Sequence, residues 1–303
     1  MRKRFQGTAR RGRGRGAVVA LTTAFLLPLG ALAGCDSGSA DGAKHTSAAP
    51  RPTPKPTPLW DRSPNSVAAV GDSITRGFDA CSVLSDCPEV SWATGTDEKV
   101  RSLAERLGAH GSWNFAKTGA RMADLPGQIE QAAEKKPEMI TVLAGANDAC
   151  RDSASYMTPV AEFRASFETA LREVRRELPK TQVYVASVPD LKRLWSEGRG
   201  NPLGKQIWKL GICASMLGDA DSMDEGAVQR RESVQERVVA YNKVLREVCA
   251  RDKRCRYDGG AVFGYRFSGD QLSRWDWFHP SKNGQGRLAE IAYRNVTAAE
   301  PPA

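Results

Sequence analysis

Between Ser66 and Asn295, short apolar runs alternate with stretches of helical period, and this alternation most narrows the folds open to the chain. Ser66-Val67-Ala68-Ala69-Val70, Trp113 to Ala116, Met139 to Ala144 and Gln182 to Val188 read as strands. Helices are predicted from Glu98 to Leu107, with Val100, Leu103, Ala104 and Leu107 on one face and Gly108 as the stop. Others are predicted from Ala123 to Lys135, Val160 to Leu178 before Pro179, Val228 to Ala250, and Gly284 to Asn295. Such alternation implies an α/β fold, a parallel sheet with helices on both faces. Ligands of such sheets sit beyond the carboxyl ends of the strands. Ser73 and Asn147 both follow strand ends although far apart in the chain, so the fold itself would bring them together.

The N-terminal region reads differently. Residues 1–34 have the pattern of a targeting segment: seven Lys and Arg before Ala17, then an uncharged apolar run to Ala33 that is short for a membrane span. Leu32-Ala33-Gly34-Cys35 resembles a bacterial lipobox, so Cys35 is the expected site of lipidation; an ordinary secretory signal is the alternative. Residues 35–59 are small, polar and Pro-rich, and include Arg51-Pro52-Thr53-Pro54-Lys55-Pro56-Thr57-Pro58. That composition cannot bury a core and favours an extended tether, here one joined to a membrane through Cys35. Residues 60–303 then form one domain on the outer face of the cytoplasmic membrane, or secreted, and expected to be monomeric.

The chain has 44 basic and 35 acidic residues, a net of +9. Seven of the basic residues and none of the acidic ones lie in the leader, so the rest is close to neutral. Nucleic-acid binding is therefore not a reading of the composition, because it requires a basic patch on the folded domain. Beyond Cys35 there are six cysteines, Cys81, Cys87, Cys150, Cys213, Cys249 and Cys255. An even count in an exported chain argues for three disulfides. Fifteen pairings are possible, and local closure favours Cys81 with Cys87 and Cys249 with Cys255, leaving Cys150 with Cys213. No C-x-x-C or H-E-x-x-H spacing supports a zinc site, and neither a metal nor an organic cofactor is expected.

Gly71-Asp72-Ser73 follows the first strand, and Trp275-Asp276-Trp277-Phe278-His279-Pro280 comes near the end. Together they supply a nucleophile, a base and a carboxylate to orient the base, the minimum set for serine acyl transfer. Of the three histidines, His45 lies in the tether and His110 follows a helix stop; only His279 has a carboxylate three residues before it. Gly-x-Ser-x-Gly is absent, which disfavours the α/β-hydrolase elbow. Ser73 could instead cap the helix that follows it.

Four blocks, Gly71-Asp72-Ser73-Ile74-Thr75, Asn114 with Gly119, Gly145-Ala146-Asn147-Asp148 and Asp276-x-x-His279, occur in the order seen in the SGNH (GDSL) hydrolases. The resemblance covers Ser66 to Ala292 and implies a three-layer α/β/α sandwich around a parallel flavodoxin-like sheet. It implies esterase or lipase activity without a cofactor, with Ser73 as nucleophile and His279 as base. The histidine is oriented by Asp276 or, as in some relatives, by a backbone carbonyl. An oxyanion hole would be formed by the N–H groups of Ser73 and Gly119 and the side chain of Asn147. The six cysteines resemble the exported actinobacterial esterases of this family, which have three disulfides. Asp72 and Asp148 are expected to be structural.

An ester is the expected substrate, its class open among short-chain esters, lipids and O-acetyl groups. A transacylase using the same residues, or a lipid-anchored binding protein with the same fold, are the alternatives. Trp92, Trp195, Trp208, Trp275, Trp277 and Tyr265 are candidates for lining an acyl pocket. The glycine-rich segment from Leu191 to Met223 is a candidate mobile flap held by Cys213.

Overall fold

A computed structural model describes residues 59–302. The leader, Cys35 and nearly all of the tether lie outside the described residues. The chain enters on β1 (Ser66–Gly71), turns through α1 (Ser73–Arg76) and α2 (Leu103–Leu107), and forms β2 (Gly111–Asn114). Next come α3 (Leu125–Ala133), β3 (Met139–Leu143), α4 (Ala146–Ala149), α5 (Val160–Glu177) and β4 (Gln182–Val185). Three helices form the 191–217 excursion: α6 (Leu191–Gly198), α7 (Pro202–Trp208) and α8 (Ala214–Leu217). Then α9 (Glu225–Cys249), β5 (Cys255–Tyr257), α10 (Ala261–Gly264) and α11 (Lys282–Thr297) complete the domain.

All five strands are parallel, in the order β2-β1-β3-β4-β5. Val67 to Val70 and all of β3 are buried, as strands covered on both faces must be. The chain winds outward from β1 to β2 and then returns past β1 to β3. Since parallel crossovers are right-handed, that reversal sends the connecting helices to opposite faces. Helices α3, α5 and α9 pack on one another in one layer, while α11 packs with α2. The fold is the expected α/β sandwich of flavodoxin-like order. Its strand order reverses between β1 and β3, the crevice where ligands of such sheets bind.

The long amphipathic elements match their periodicity: Val234, Val238, Tyr241, Leu245 and Val248 form the buried face of α9. The helix predicted from Glu98 is a correction, because it begins only at Leu103. Ser102 caps it, in a box with Glu105, and Arg101 just before takes a left-handed conformation that no helix continues through. The segment from Leu191 to Met223, the candidate flap, carries regular structure over 191–217. It is helical, with Leu191, Leu194, Trp195, Trp208, Met216 and Leu217 buried. Trp195 is stacked under the guanidinium of Arg231, 4.2 Å from its ring centre, and donates to the Ala220 carbonyl.

The three disulfides are Cys81–Cys87, Cys150–Cys213 and Cys249–Cys255, the pairing that local closure favours. Among the described residues, no helix is long and apolar enough to cross a membrane.

Candidate active site

At the carboxyl end of β1 the backbone turns sharply into α1. Gly71 takes φ +148°, and a Cβ there would lie 2.2 Å from the Leu143 carbonyl oxygen of β3, so only glycine lets the two strands run this close. The buried side chain of Gln128 closes the turn, accepting from the Gly71 N–H at 2.7 Å and donating to its carbonyl at 2.9 Å. Asp72 caps α1, one carboxylate oxygen accepting from the Ile74 N–H at 3.0 Å. The capping role therefore falls to Asp72, and the Ser73 hydroxyl is left for another partner.

That partner is His279, whose Nε2 lies 2.9 Å from Ser73 Oγ. His279 sits on a loop that the Leu272 and Pro280 backbones close as an isolated antiparallel bridge. The Ser273 N–H donates to the His279 carbonyl at 2.8 Å, and Trp277 at the loop tip is left-handed. Inside the loop, the buried Asp276 carboxylate accepts from the N–H groups of Phe278 and His279, each at 2.9 Å, through Oδ1. Its Oδ2 lies 2.5 Å from His279 Nδ1. A neutral ring with its hydrogen on Nδ1 keeps Nε2 free to accept from Oγ. A distant element holds the loop in place, and another fastens the turn at Ser73. Trp208 of α7 donates from Nε1 to the Asp276 carbonyl at 2.6 Å, and Gln285 of α11 bridges Ile74 O and Trp92 N.

The other two sequence-selected residues converge on the same spot. Gly119 is left-handed at φ +83°, with no protein atom within 4 Å of the Cβ position, so conformation and not crowding selects glycine. Asn147, in α4 beyond β3, donates one amide hydrogen to the Ala120 carbonyl at 3.0 Å, leaving the other free. Among the described residues, nothing accepts from the N–H of Ser73 or of Gly119. Asn114 lies outside this group: it accepts from the Ala116 N–H and donates to the Thr75 carbonyl, fastening the loop after β2 to α1.

Ser73, Gly119, Asn147 and His279 line one pocket of about 230 Å³. Its apolar wall comes from Ile74, Phe78, Leu191, Leu194, Ile212 and Phe278, with Cys150 and Cys213 of the disulfide beside them. None of the five tryptophans and the one tyrosine proposed from sequence lines it. Trp92, Trp195 and Trp208 are buried in the core, and the aromatic contacts of His279 are Phe78 and Phe278, at 5.1 and 5.8 Å between ring centres.

The electrostatics follow from burial and from one ion pair. Burial disfavours the imidazolium of His279, yet the charge of Asp276 and its hydrogen bond, with Asp79 and Asp72 nearby, raise the pKa above 6.5. Burial alone would push the Asp276 carboxyl up, but His279 and the Phe278 and His279 N–H groups hold it below the usual carboxylate value. Burial raises three further carboxyls, Asp72 to about 7 and Asp148 and Asp79 to about 6. Sequence inspection missed Asp79, whose proximity to Asp276 is set wholly by tertiary packing.

These shifts make the domain's stability pH-dependent. A carboxyl whose folded pKa is raised favours the folded state fully below its unfolded value of 3.8, and this is lost as pH rises through the folded value. Raised His279 acts in the same direction, whereas lowered Asp276 loses its contribution only on further acidification. The thermal midpoint is accordingly expected to fall by several degrees between pH 5 and pH 8, measured by calorimetry. A midpoint that rises across this interval would contradict the buried carboxyls.

Among the described residues, Asp79, Asp276 and His279 form one cluster with the spacing of metal ligands. Both ring nitrogens of His279 are already engaged, by Ser73 and Asp276, so a metal there would have to displace one of these contacts. The arrangement suits proton transfer from a serine hydroxyl to an imidazole, beside three N–H donors that, among the described residues, have no acceptor.

The family model for the GDSL-like lipases and acylhydrolases matches residues 69–287. No curated protein sequence matches the chain. Among solved structures, one is 19% identical, covers 78% of this chain and 98% of its own, and superposes with a TM-score of 0.50. An extracellular lipase from Streptomyces rimosus is 16% identical, with coverage of 77% of this chain and 100% of its own and a TM-score of 0.44. The acetyl xylan esterase AlAXEase is 15% identical over 75% of this chain and 96% of its own, with a TM-score of 0.46.

Proposed function

The chain belongs to the GDSL-like lipase/acylhydrolase family, and from that premise we propose that it is a serine esterase acting through an acyl-enzyme on short-chain carboxylic esters. The observation that carries this reading is the chain of contacts Ser73 Oγ to His279 Nε2 and His279 Nδ1 to Asp276 Oδ2, opening on one apolar pocket. Ser73 attacks the ester carbonyl as His279 takes its proton, and Asp276 stabilises the imidazolium. The Ser73 and Gly119 N–H groups and the Asn147 amide receive the negative charge that develops on the carbonyl oxygen. His279 then returns the proton to the departing alcohol, and water, activated the same way, releases the acid.

Pocket size supports a short acyl group. At roughly 30 Å³ per water-sized group, 230 Å³ accommodates about seven or eight heavy groups. With p-nitrophenyl esters, kcat/KM is expected to rise with acyl length by up to ~0.8 kcal/mol for each methylene the pocket buries and to stop rising between butyrate and octanoate, with no further gain to palmitate. A fluorophosphonate probe should label Ser73. Turnover that rises steadily to palmitate would refute the short-chain assignment, and no turnover with no labelling would leave a binding protein. The proposal extends to residues 1–59 as a lipoprotein leader and tether that anchor the domain outside the cell, checked by incorporation of labelled palmitate at Cys35.

A further inference from the structure

Asp79 lies two residues before Cys81, whose disulfide with Cys87 closes the loop that follows, and one residue past Phe78, which packs on the ring of His279. It is 1% exposed and left-handed, a conformation aspartate tolerates better than most residues. Its N–H donates to Ser85 O at 3.0 Å, and its carbonyl accepts from Ser273 Oγ at 2.7 Å. One carboxylate oxygen accepts from the Leu84 N–H. The other is buried with no donor. One carboxylate oxygen each from Asp79 and Asp276 and one ring nitrogen of His279 lie within 4.8 Å of one another. An unsatisfied buried carboxylate is costly, and here it stands against the one side chain that gains positive charge during the proposed reaction.

We propose that Asp79 is a positioning residue of the reaction, a second carboxylate that acts through the Asp276–His279 pair and stabilises the imidazolium formed when Ser73 transfers its proton. This rests on the esterase reading above. Asp79 is absent from the pocket lining, so it acts on the base and not on the substrate. The charged groups bearing most strongly on Asp79 are Asp276 and His279; those bearing on His279 are Asp276, Asp79 and Asp72, and Asp72 in turn faces Asp148. Burial and the facing Asp276 push the Asp79 carboxyl up to about 6, so it carries charge at and above neutrality. Removing that charge makes His279 a weaker base, which moves its protonation to lower pH.

The test is Asp79→Asn, which keeps the acceptor for the Leu84 N–H and directs an uncharged amide at Asp276. The acid limb of kcat/KM is expected to move down by about one pH unit, with kcat on the plateau reduced by about tenfold at most and KM unchanged. NMR titration of the His279 ring provides a readout independent of turnover. In the unaltered protein an inflection from Asp79 is expected beside that of His279; in Asp79→Asn it is lost and the His279 midpoint falls, while any inflection from Asp72 remains in both proteins. A fall in kcat with the limb and the His279 midpoint unmoved would show that Asp79 only supports the loop and would overturn the proposal. If Asp79→Asn does not fold, Asp79→Glu, which keeps the charge, takes its place: an acid limb and a His279 midpoint both displaced to lower pH despite the retained carboxylate would overturn the proposal equally. Absence of ester turnover from either protein would defeat the esterase reading, while the His279 titration would still judge Asp79.

Discussion

Ser73→Ala is expected to lower kcat on a short-chain ester by about 10⁴- to 10⁶-fold while KM stays within about twofold. The hydroxyl makes one contact in the structure, with His279 Nε2, and its loss leaves that nitrogen facing a pocket water can enter, so the fold should be unaffected. Alanine retains the backbone N–H of residue 73, and the Gly119 and Asn147 donors are untouched. The residual rate should therefore come from oxyanion stabilisation and substrate binding alone. Steady-state kinetics with active-site titration provide the check, because titration excludes a trace of contaminating enzyme. A loss of less than about tenfold would place the nucleophile elsewhere.

The second large effect is expected at Asp276→Asn, where kcat should fall by about 10⁴-fold despite the near-identical shape. Oδ1 accepts from two backbone N–H groups, so the amide oxygen of asparagine must take that place. The amide nitrogen is then forced toward His279 Nδ1 as a donor, and the ring must carry its hydrogen on Nε2, pointing at Ser73. In that tautomer the imidazole cannot accept the serine proton. Nitrogen-15 shifts of the His279 ring should report the change directly. Activity retained above about a tenth would show that a backbone carbonyl, not Asp276, orients the base. The contrast with Asp79→Asn is informative: one carboxylate fixes the tautomer, and the other only adjusts basicity.

Much of this arrangement was legible in the chain because periodic patterns and local motifs carry it. Strands β1, β3 and β4 announce themselves as apolar runs, and α5, α9 and α11 by their spacing. Ser73, Gly119, Asn147, Asp276 and His279 fall in short blocks at strand ends or in one loop, so their convergence follows once the sheet is parallel. Strand β5 was not legible. It is three residues long with Arg256 at its centre, buried because its guanidinium reaches the carbonyls of Asn295 and Ala298 and stacks on Trp60. The helices of the excursion were hidden by Gly198, Gly204 and Gly211, which suggest a loop. Yet a Cβ at Gly198 would lie 2.5 Å from the Trp277 carbonyl oxygen, so close packing is what requires that glycine. Asp79 had no local signal, because its importance arises only when two loops nearly 200 residues apart meet at Ser273.

The pocket wall containing Cys150 and Cys213 has a further consequence. Cys150 ends α4, three residues after Asn147, and Cys213 belongs to the excursion that supplies Leu191, Leu194 and Ile212. One side of the substrate cavity is thus joined to the sheet by a covalent bond that a thiol-reducing compartment would not maintain. The proton relay through Ser73, His279 and Asp276 contains no disulfide, and the excursion reaches it only through the hydrogen bond from Trp208 to the Asp276 carbonyl. Reducing Cys150–Cys213 is therefore expected to loosen the acyl-binding wall formed by Leu191, Leu194 and Ile212, so the redox state of a bond outside the catalytic residues becomes a determinant of which acyl groups the cavity holds.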